Sequence, residues 1–283
     1  MTQAKIFGQG AGFVSGGQNL GPIARIKRVI AFRRILKLLV VRDLKVKYGG
    51  SILGWLWTVL DPLAMSLVYW FVFTQFFERK IGEDPYIIFL IMGQLLWGWF
   101  NGGVQGTMRA LRSESQMVRS SNVPRELWIV RVVCTQGVEY LLSLPVVALF
   151  ALAYLKSPTW HIALLPLAWV LMFLLVTGIG LILSPLNVLV RDIEKVVPIV
   201  LRAMFYISPV LYSIATITVE HPALEFVYAY NPVVGPLSLA RATFFPQEFR
   251  GYFIWHSVVL CVAIFVIGLF TFSRLERSVL KEI

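Results

Sequence analysis

Residues 52–77 read ILGWLWTVLDPLAMSLVYWFVFTQFF, an apolar run whose only charged residue is Asp61. A helix rises 1.5 Å per residue, so ~20 residues cross the ~30 Å of bilayer hydrocarbon. Five similar stretches follow, and the chain is therefore predicted to be an all-α membrane protein with six transmembrane helices. The predicted spans are Ile52 to Phe77, Pro85 to Val104, Val132 to Leu155, Ile162 to Leu183, Val196 to Ile214 and Tyr252 to Phe272.

The composition excludes an ordinary soluble domain. Apolar residues make up 58% of the 283 residues and charged residues only 14%, with a mean hydropathy of +0.74. Soluble domains are usually about 45–50% apolar. Residues 49–283 are predicted to form one membrane domain.

The net charge of +11 is distributed unevenly along the chain. Lys and Arg are concentrated before the first span, between the second and third, between the fourth and fifth, and after the last. The remaining loops carry more acids than basic residues, the acids being Glu78, Glu83, Asp84, Glu220, Glu225 and Glu248. Cytosolic loops of membrane proteins are enriched in basic residues, so both termini are predicted to be cytosolic. This asymmetry explains the basic composition without a nucleic-acid partner.

Two segments precede the first span. Residues 1–24, which are Gly-rich and polar, are predicted to be a flexible cytosolic tail. Residues 25–48 have helical apolar spacing and are predicted to form an amphipathic interfacial helix, ended by Gly49 and Gly50. The apolar face carries Val29, Phe32, Leu36 and Leu39, and the opposite face carries Arg33, Arg34 and Lys37.

Two acids fall inside predicted spans. Asp61, followed by Pro62, lies about nine residues into the first span, which is ~14 Å deep. Glu139 lies in the third span. Such groups usually face a bundle interior or water. The alternative is that each is a protonated or hydrogen-bonded residue that packs helices together.

Small residues and two linkers predict further structure. Gly98, Gly102 and Gly106 form a small-xxx-small pattern that permits close helix packing. The polar linker from Ser113 to Arg125 is predicted to be a compact cytosolic docking knob. The segment from Ala215 to Gly251 is predicted to be a re-entrant helical hairpin, because Asn-Pro and Gly-Pro pairs divide it into two short pieces.

Motifs for chemistry are missing from the sequence. There is no GxxxxGK[ST] phosphate loop, no HExxH or CxxC metal spacing and no GxSxG nucleophile elbow. We therefore predict no catalytic residue, metal site or cofactor in this chain, and ATP hydrolysis would need another polypeptide. Cys134 and Cys261 both lie in predicted spans, so no structural disulfide is expected.

Aromatic residues are abundant in the first, second and fifth spans. Most of them are expected at membrane interfaces or between helices. Those at mid-membrane depth could instead line a conduit, where flat rings stack weakly on sugars. Tyr69, Phe205 and Tyr206 are the main candidates for conduit lining.

Several short motifs together resemble a known family. The order is RDLKVKY at Arg42–Tyr48, SILGWLW at Ser51–Trp57, DPL at Asp61–Leu63, NVLVRDI at Asn187–Ile193, Pro198, ISPVLY at Ile207–Tyr212 and YNPV at Tyr230–Val233. This set, covering about residues 30–283, resembles permease subunits of ABC-2 type exporters, specifically the Wzm group that exports lipid-linked polysaccharides. Asp61 departs from the family pattern, which favours a polar amide before the proline.

The resemblance implies a homodimer in the bacterial inner (plasma) membrane, bound to two copies of a separate Wzt-like ATPase that holds ATP and Mg. The implied substrate is a polyprenyl pyrophosphate-linked glycan. The resemblance also implies roles for two groups of residues. These are lipid headgroup capture by Arg33, Arg34 and Lys37, and ATPase docking by Ser113, Glu114, Arg119, Arg125, Arg191 and Asp192.

Two alternatives stay open at the level of sequence. One is an ABC-2 permease for a small lipid or drug, and the other is a membrane enzyme acting on polyprenyl phosphates. The enzyme would need clustered acids or histidines, and the sequence has no such cluster in evidence. The polysaccharide also stays open among O-antigen, teichoic acid, capsule and cell-wall galactan, with a preference for galactan.

Overall fold

A computed structural model describes residues 21–50, 53–76, 82–214 and 224–282. Within these ranges the chain is helical, with no strands. The helices are α1 (Pro22–Ala31), α2 (Arg33–Tyr48), α3 (Trp57–Trp70, continued by a π-helical segment at Phe71–Phe76), α4 (Tyr86–Ser113), α5 (Ser115–Ser120), α6 (Glu126–Ala153), α7 (Leu165–Leu189), α8 (Ile193–Ile207), α9 (Leu224–Ala229), α10 (Val234–Ala242) and α11 (Gly251–Glu282).

Five helical segments in the described residues are long and apolar enough to cross a membrane. They are Trp57–Gln75, Tyr86–Ser113, Glu126–Ala153, Trp160–Leu189 and Gly251–Val279. This confirms the all-α membrane class.

The fifth predicted span, Val196 to Ile214, overlaps α8, which has 15 residues and is only ~22 Å long. It ends where Ser208 becomes extended before Pro209, a conformation that proline favours in the preceding residue. The count of six spans therefore stays a prediction.

Helix α4 is the centre of the bundle. It is almost entirely buried and contacts α3, α6, α7 and α8. Gly102 and Gly106 lie where α4 approaches α6, because an added Cβ would meet side chains of Gln136 and Val132. Gly98 instead faces open space, so only two of the three predicted glycines lie at a helix contact.

Helices α7 and α11 approach each other closely at two glycines. A Cβ built on Gly178 would lie 2.7 Å from the Phe265 backbone, and one on Gly268 would lie 2.5 Å from the Gly178 carbonyl oxygen. Both distances are too short for a real side chain, so these positions require glycine. The sequence pattern did not single out this pair.

The N-terminal segment forms two helices, although one was expected. Residues 1–20 of the predicted tail lie outside the described residues, and α1 begins at Pro22. Phe32 leaves helical geometry and separates α1 from α2. Helix α2 packs along α6, whereas α1 contacts α2, α6 and α11. We call the end of the bundle where α1, α5 and the α7–α8 turn lie the basal end.

Short helices α9 and α10 lie at the opposite, apical end. Part of the predicted hairpin, residues 215–223, lies outside the described residues, and a turn at Asn231–Pro232 separates the two helices. Arg241 of α10 is fully buried and donates hydrogen bonds to the carbonyls of Pro209 and Val210. This arginine fixes the chain that follows α8 onto α4 and α10.

Candidate functional site

The three aromatic conduit candidates lie together where α3 meets α8. The rings of Tyr69 and Phe205 are 6.1 Å apart between centroids, and those of Phe205 and Tyr206 are 5.1 Å apart. Trp97 of α4 packs behind Phe205 at 5.5 Å. Tyr206 is 66% exposed in the single chain, so its ring is available to another molecule. We call this group the aromatic seam.

Both helices of the aromatic seam have an apolar face that nothing in the described chain covers. On both helices the exposed side chains recur at the spacing that places them on one side of the helix. These faces carry Trp57, Leu60, Met65 and Val68 on α3, and Val196, Ile199, Val200, Tyr206 and Ile207 on α8. Asp61 is exposed on the α3 face and has no ion-pair partner among the described residues.

The predicted headgroup-capture residues lie on α2. Arg33, Arg34 and Lys37 are all exposed, and none forms an ion pair within the described ranges. Val40 of the same helix is buried, whereas Leu38 and Val46 are exposed, so the exposed surface of α2 is both basic and apolar. Three adjacent cations of this kind can attract a phosphate.

The predicted docking residues separate into two groups. Ser113 and Arg119, beside and within α5, are exposed, as are Arg191 and Asp192 in the α7–α8 turn. These four side chains are accessible to a partner at the basal end.

Glu114 and Arg125 are instead engaged within the chain. The Glu114 carboxylate accepts hydrogen bonds from Arg42 and Arg131, each at 2.9 Å. Burial alone would raise the pKa of Glu114, but the hydrogen bonds and charges of Arg131 and Arg42 outweigh burial and hold that pKa below its ordinary value. Arg125 pairs with Glu276 of α11. Through these bonds Glu114 and Arg125 hold neighbouring helices together at the basal end.

A buried ion-pair cluster fixes α1 and was not predicted. Arg25 is only 6% exposed and donates to Glu126 of α6, to Glu276 at 2.8 Å and to Ser273 at 3.3 Å. Since its partners lie more than a hundred residues away in sequence, no local pattern identifies them.

The basal end of α8 is tied to α4 by a second unpredicted cluster. Glu194 pairs with Arg109 at 2.8 Å and with Arg112 at 3.5 Å. All three side chains are partly exposed, so these bonds are individually weak. They connect the segment just before α5 with the helix that carries Phe205 and Tyr206.

The second intramembrane acid, Glu139, is hydrogen-bonded. Lys47 donates to its two oxygens at 2.8 and 2.9 Å, and the Tyr48 hydroxyl donates at 2.8 Å. Glu139 is 7% exposed, whereas the Lys47 side chain is 49% exposed. Of the two interpretations of this acid, the structure supports the packing residue, since it joins the end of α2 to α6.

Comparisons with known proteins match most of the chain. Residues 34–245 match the family described as ABC-2 type transporter. The chain is 33% identical to the O-antigen export system permease protein RfbA of Myxococcus xanthus over 80% of this chain and 86% of the relative. It is 28% identical to RfbA of Klebsiella pneumoniae, over 86% and 92%, and 23% identical to the polysialic acid transport protein KpsM of Escherichia coli, over 86% and 94%.

Proposed function

This chain belongs to the ABC-2 type transporter family, and from that membership we propose that it is the permease subunit of an ABC exporter for a polyprenyl pyrophosphate-linked polysaccharide. Its relatives are permeases of O-antigen and capsule export systems. A separate, Wzt-like ATPase would bind ATP and Mg and supply the energy. The aromatic seam, in a chain with these relatives, is the observation that carries the proposal.

The proposed orientation places the basal end in the cytosol of a bacterium, with the chain in the inner membrane. Its basic side chains then face the anionic inner leaflet, as the positive-inside rule requires. In this orientation α2 lies along the membrane surface, α8 with its following turns makes a sixth crossing, and α9 and α10 form the re-entrant hairpin in the outer leaflet.

Substrate capture begins at α2. A polyprenyl pyrophosphate carries its negative charge at the headgroup level, where each nearby Lys or Arg contributes roughly 1 kcal/mol of attraction. Arg33, Arg34 and Lys37 are exposed and have no acidic partner among the described residues, so their charge is available. Three such cations would concentrate the lipid beside the entrance.

The glycan path is proposed to lie between two copies of this chain. The part of the exposed α3 and α8 faces at the aromatic seam would line it, with Tyr69, Phe205 and Tyr206 at mid-membrane depth. Aromatic faces bind sugar rings through apolar contact without a fixed hydrogen-bond pattern. A long polymer can therefore slide past them one sugar at a time.

Coupling to the ATPase is proposed at α5 and at the α7–α8 turn. Ser113, Arg119, Arg191 and Asp192, which are all exposed, would contact the ATPase. Motion of α5 would reach α8 through the bonds from Arg109 and Arg112 to Glu194. Nucleotide can drive this change only because it binds the two conformations with different affinity.

Depletion of this chain in its own bacterium tests the function. We expect lipid-linked glycan to accumulate in the cytosolic leaflet, and the accumulated sugar identifies the polymer as galactan, O-antigen, teichoic acid or capsule. Normal surface polysaccharide in depleted cells would refute the proposal. Stimulation of the complex's ATPase by undecorated hydrophobic compounds alone would instead favour a small-lipid or drug exporter.

Two sets of variants test the residues. Replacing Arg33, Arg34 and Lys37 by Gln should reduce capture of the lipid-linked glycan by membranes holding the complex. The matched control replaces the exposed cations Arg274 and Lys281 of α11 by Gln, and it should leave capture unchanged. Equal effects of the two sets would show that general surface charge is responsible.

For docking, Arg119→Glu should lower co-purification of the ATPase. Glu225→Arg, an exposed charge reversal at the apical end, is the control and should not. Full recovery of the ATPase with Arg119→Glu would exclude this contact.

A further inference from the structure

Two opposite charges lie exposed on the uncovered apolar faces of α3 and α8. Asp61 lies among Trp57, Met65 and Val68, and Arg202 lies beside Ile199 and Tyr206 on α8. A charge that faces lipid hydrocarbon is costly, so intramembrane ionisable groups are normally covered by protein or water. Asp61 and Arg202 therefore each indicate that protein or water covers the helix face on which they lie.

Neither charge is neutralised within the described part of the chain. Asp61 has no ion pair there, and Arg202 makes a 3.4 Å hydrogen bond from Nε to the Pro198 carbonyl of its own helix. That bond leaves the terminal nitrogens of the guanidinium available. It also turns the side chain toward the basal end of α8.

The two groups lie at similar depth. The contact between Tyr69 and Phe205 aligns α3 with α8. Asp61 precedes Tyr69 by eight residues, or ~12 Å, and Pro198 precedes Phe205 by seven, or ~10.5 Å. Because the Arg202 side chain is turned toward Pro198, its guanidinium lies within about one helical turn of the Asp61 level.

A two-fold axis along the membrane normal preserves depth, so residues at one level in one copy meet residues at the same level in the other. Packing α3 on α3 would place Asp61 against Asp61, and packing α8 on α8 would place Arg202 against Arg202. Packing α3 of one copy on α8 of the other brings opposite charges together twice. An isologous interface of this kind satisfies both charges in both copies.

We propose that Asp61 of one copy forms an ion pair with Arg202 of a second copy of this chain. The inference rests on the proposed function, which already requires two copies. It adds the arrangement of the helices and a polar contact on the basal side of the aromatic seam. The acid at position 61 thereby receives a role as a dimer contact.

Cross-linking in membranes that contain the whole complex tests the pair. Cys134 and Cys261 are first replaced by Ala, and differently tagged copies then carry Asp61→Cys and Arg202→Cys on separate chains. We expect a short bismaleimide to give a dimer carrying both tags. Copies that all carry Asp61→Cys, or all carry Arg202→Cys, should give little or none.

Charge exchange is the second measurement. Asp61→Arg should lower the fraction of dimer recovered from membranes by roughly tenfold or more, as loss of a desolvated charge pair does. Asp61→Arg combined with Arg202→Asp should restore it. Asp61→Cys copies that cross-link to each other but not to Arg202→Cys copies would overturn the pairing. So would a double variant no better than Asp61→Arg.

The depletion experiment reports on export independently of these results. If export requires the chain and no Asp61–Arg202 cross-link forms, the pairing is refuted and the transport function stands. If the cross-link forms and surface polysaccharide is normal after depletion, the interface stands and the transport function is refuted.

Discussion

Replacing Arg241 by Met should strongly destabilise the apical end. The guanidinium is completely buried, donates to the Pro209 and Val210 carbonyls, and lies 3.5 Å above the ring of Phe89. An arginine guanidinium stays protonated in proteins, so Arg241 keeps its charge in this buried site. The side chain therefore acts as a cation in a closed site.

The magnitude follows from these contacts. Two buried carbonyls left without a donor cost ~1–3 kcal/mol each, and loss of a desolvated cation–π contact costs ~2 kcal/mol. Removing the buried charge recovers part of its desolvation cost, so the net loss should be about 3–5 kcal/mol. At 2–4 °C per kcal/mol, the melting temperature should fall by roughly 10 °C.

The chain provides its own reporter for this experiment. Cys261 is fully buried in α11, so in a variant whose partly buried Cys134 is replaced by Ala, a thiol-reactive dye should label the detergent-solubilised protein only when it unfolds on heating. Gly93→Ala should have a similar effect, because its Cβ would overlap the guanidinium of Arg241. Arg274→Met, an exposed position on α11, is the matched control. Equal melting temperatures for Arg241→Met and Arg274→Met would refute the reasoning.

The same melting assay checks three other expectations. Gly178→Ala should be strongly destabilising because its Cβ would overlap the Phe265 backbone. Gly98→Ala is the control and should be neutral because Gly98 faces open space. Similar losses of stability in the two variants would count against the close α7–α11 packing. The lowered pKa of Glu114 means that the unfolded chain binds its proton more readily, so the stability contributed by this group is present at neutral pH and is lost as pH falls below about 4.5. Glu114→Gln should remove that loss, and an unchanged pH profile would contradict the assignment. Lys47→Met should cost ~1–3 kcal/mol, more than Glu139→Gln, since it leaves a buried carboxylate without its cation whereas Lys47 is half exposed; the reverse order would contradict the ion pair.

The candidate site illustrates what sequence could predict and what it could not. Tyr69, Phe205 and Tyr206 were selected for their ring chemistry and mid-membrane positions, and the structure brings them together. The residues predicted to dock the ATPase fall into two groups. Glu114 and Arg125 form ion pairs within the chain, whereas the other four are exposed. The residue type alone does not tell whether a polar side chain is exposed, since an arginine in a polar linker can either face solvent or form an ion pair within the chain.

Length and hydropathy by themselves determined that this chain is a helical membrane protein, because whether a segment enters hydrocarbon depends on its own side chains. The ordered motifs determined the family, and the positions of Lys and Arg predict the orientation. Only the tertiary structure decided which helix faces meet, as at Gly178 and Gly268, and which charges pair, as at Arg25 and Glu276. The physical reason is that lipid is as apolar as leucine, so hydropathy does not distinguish a face that packs against protein from one that faces lipid.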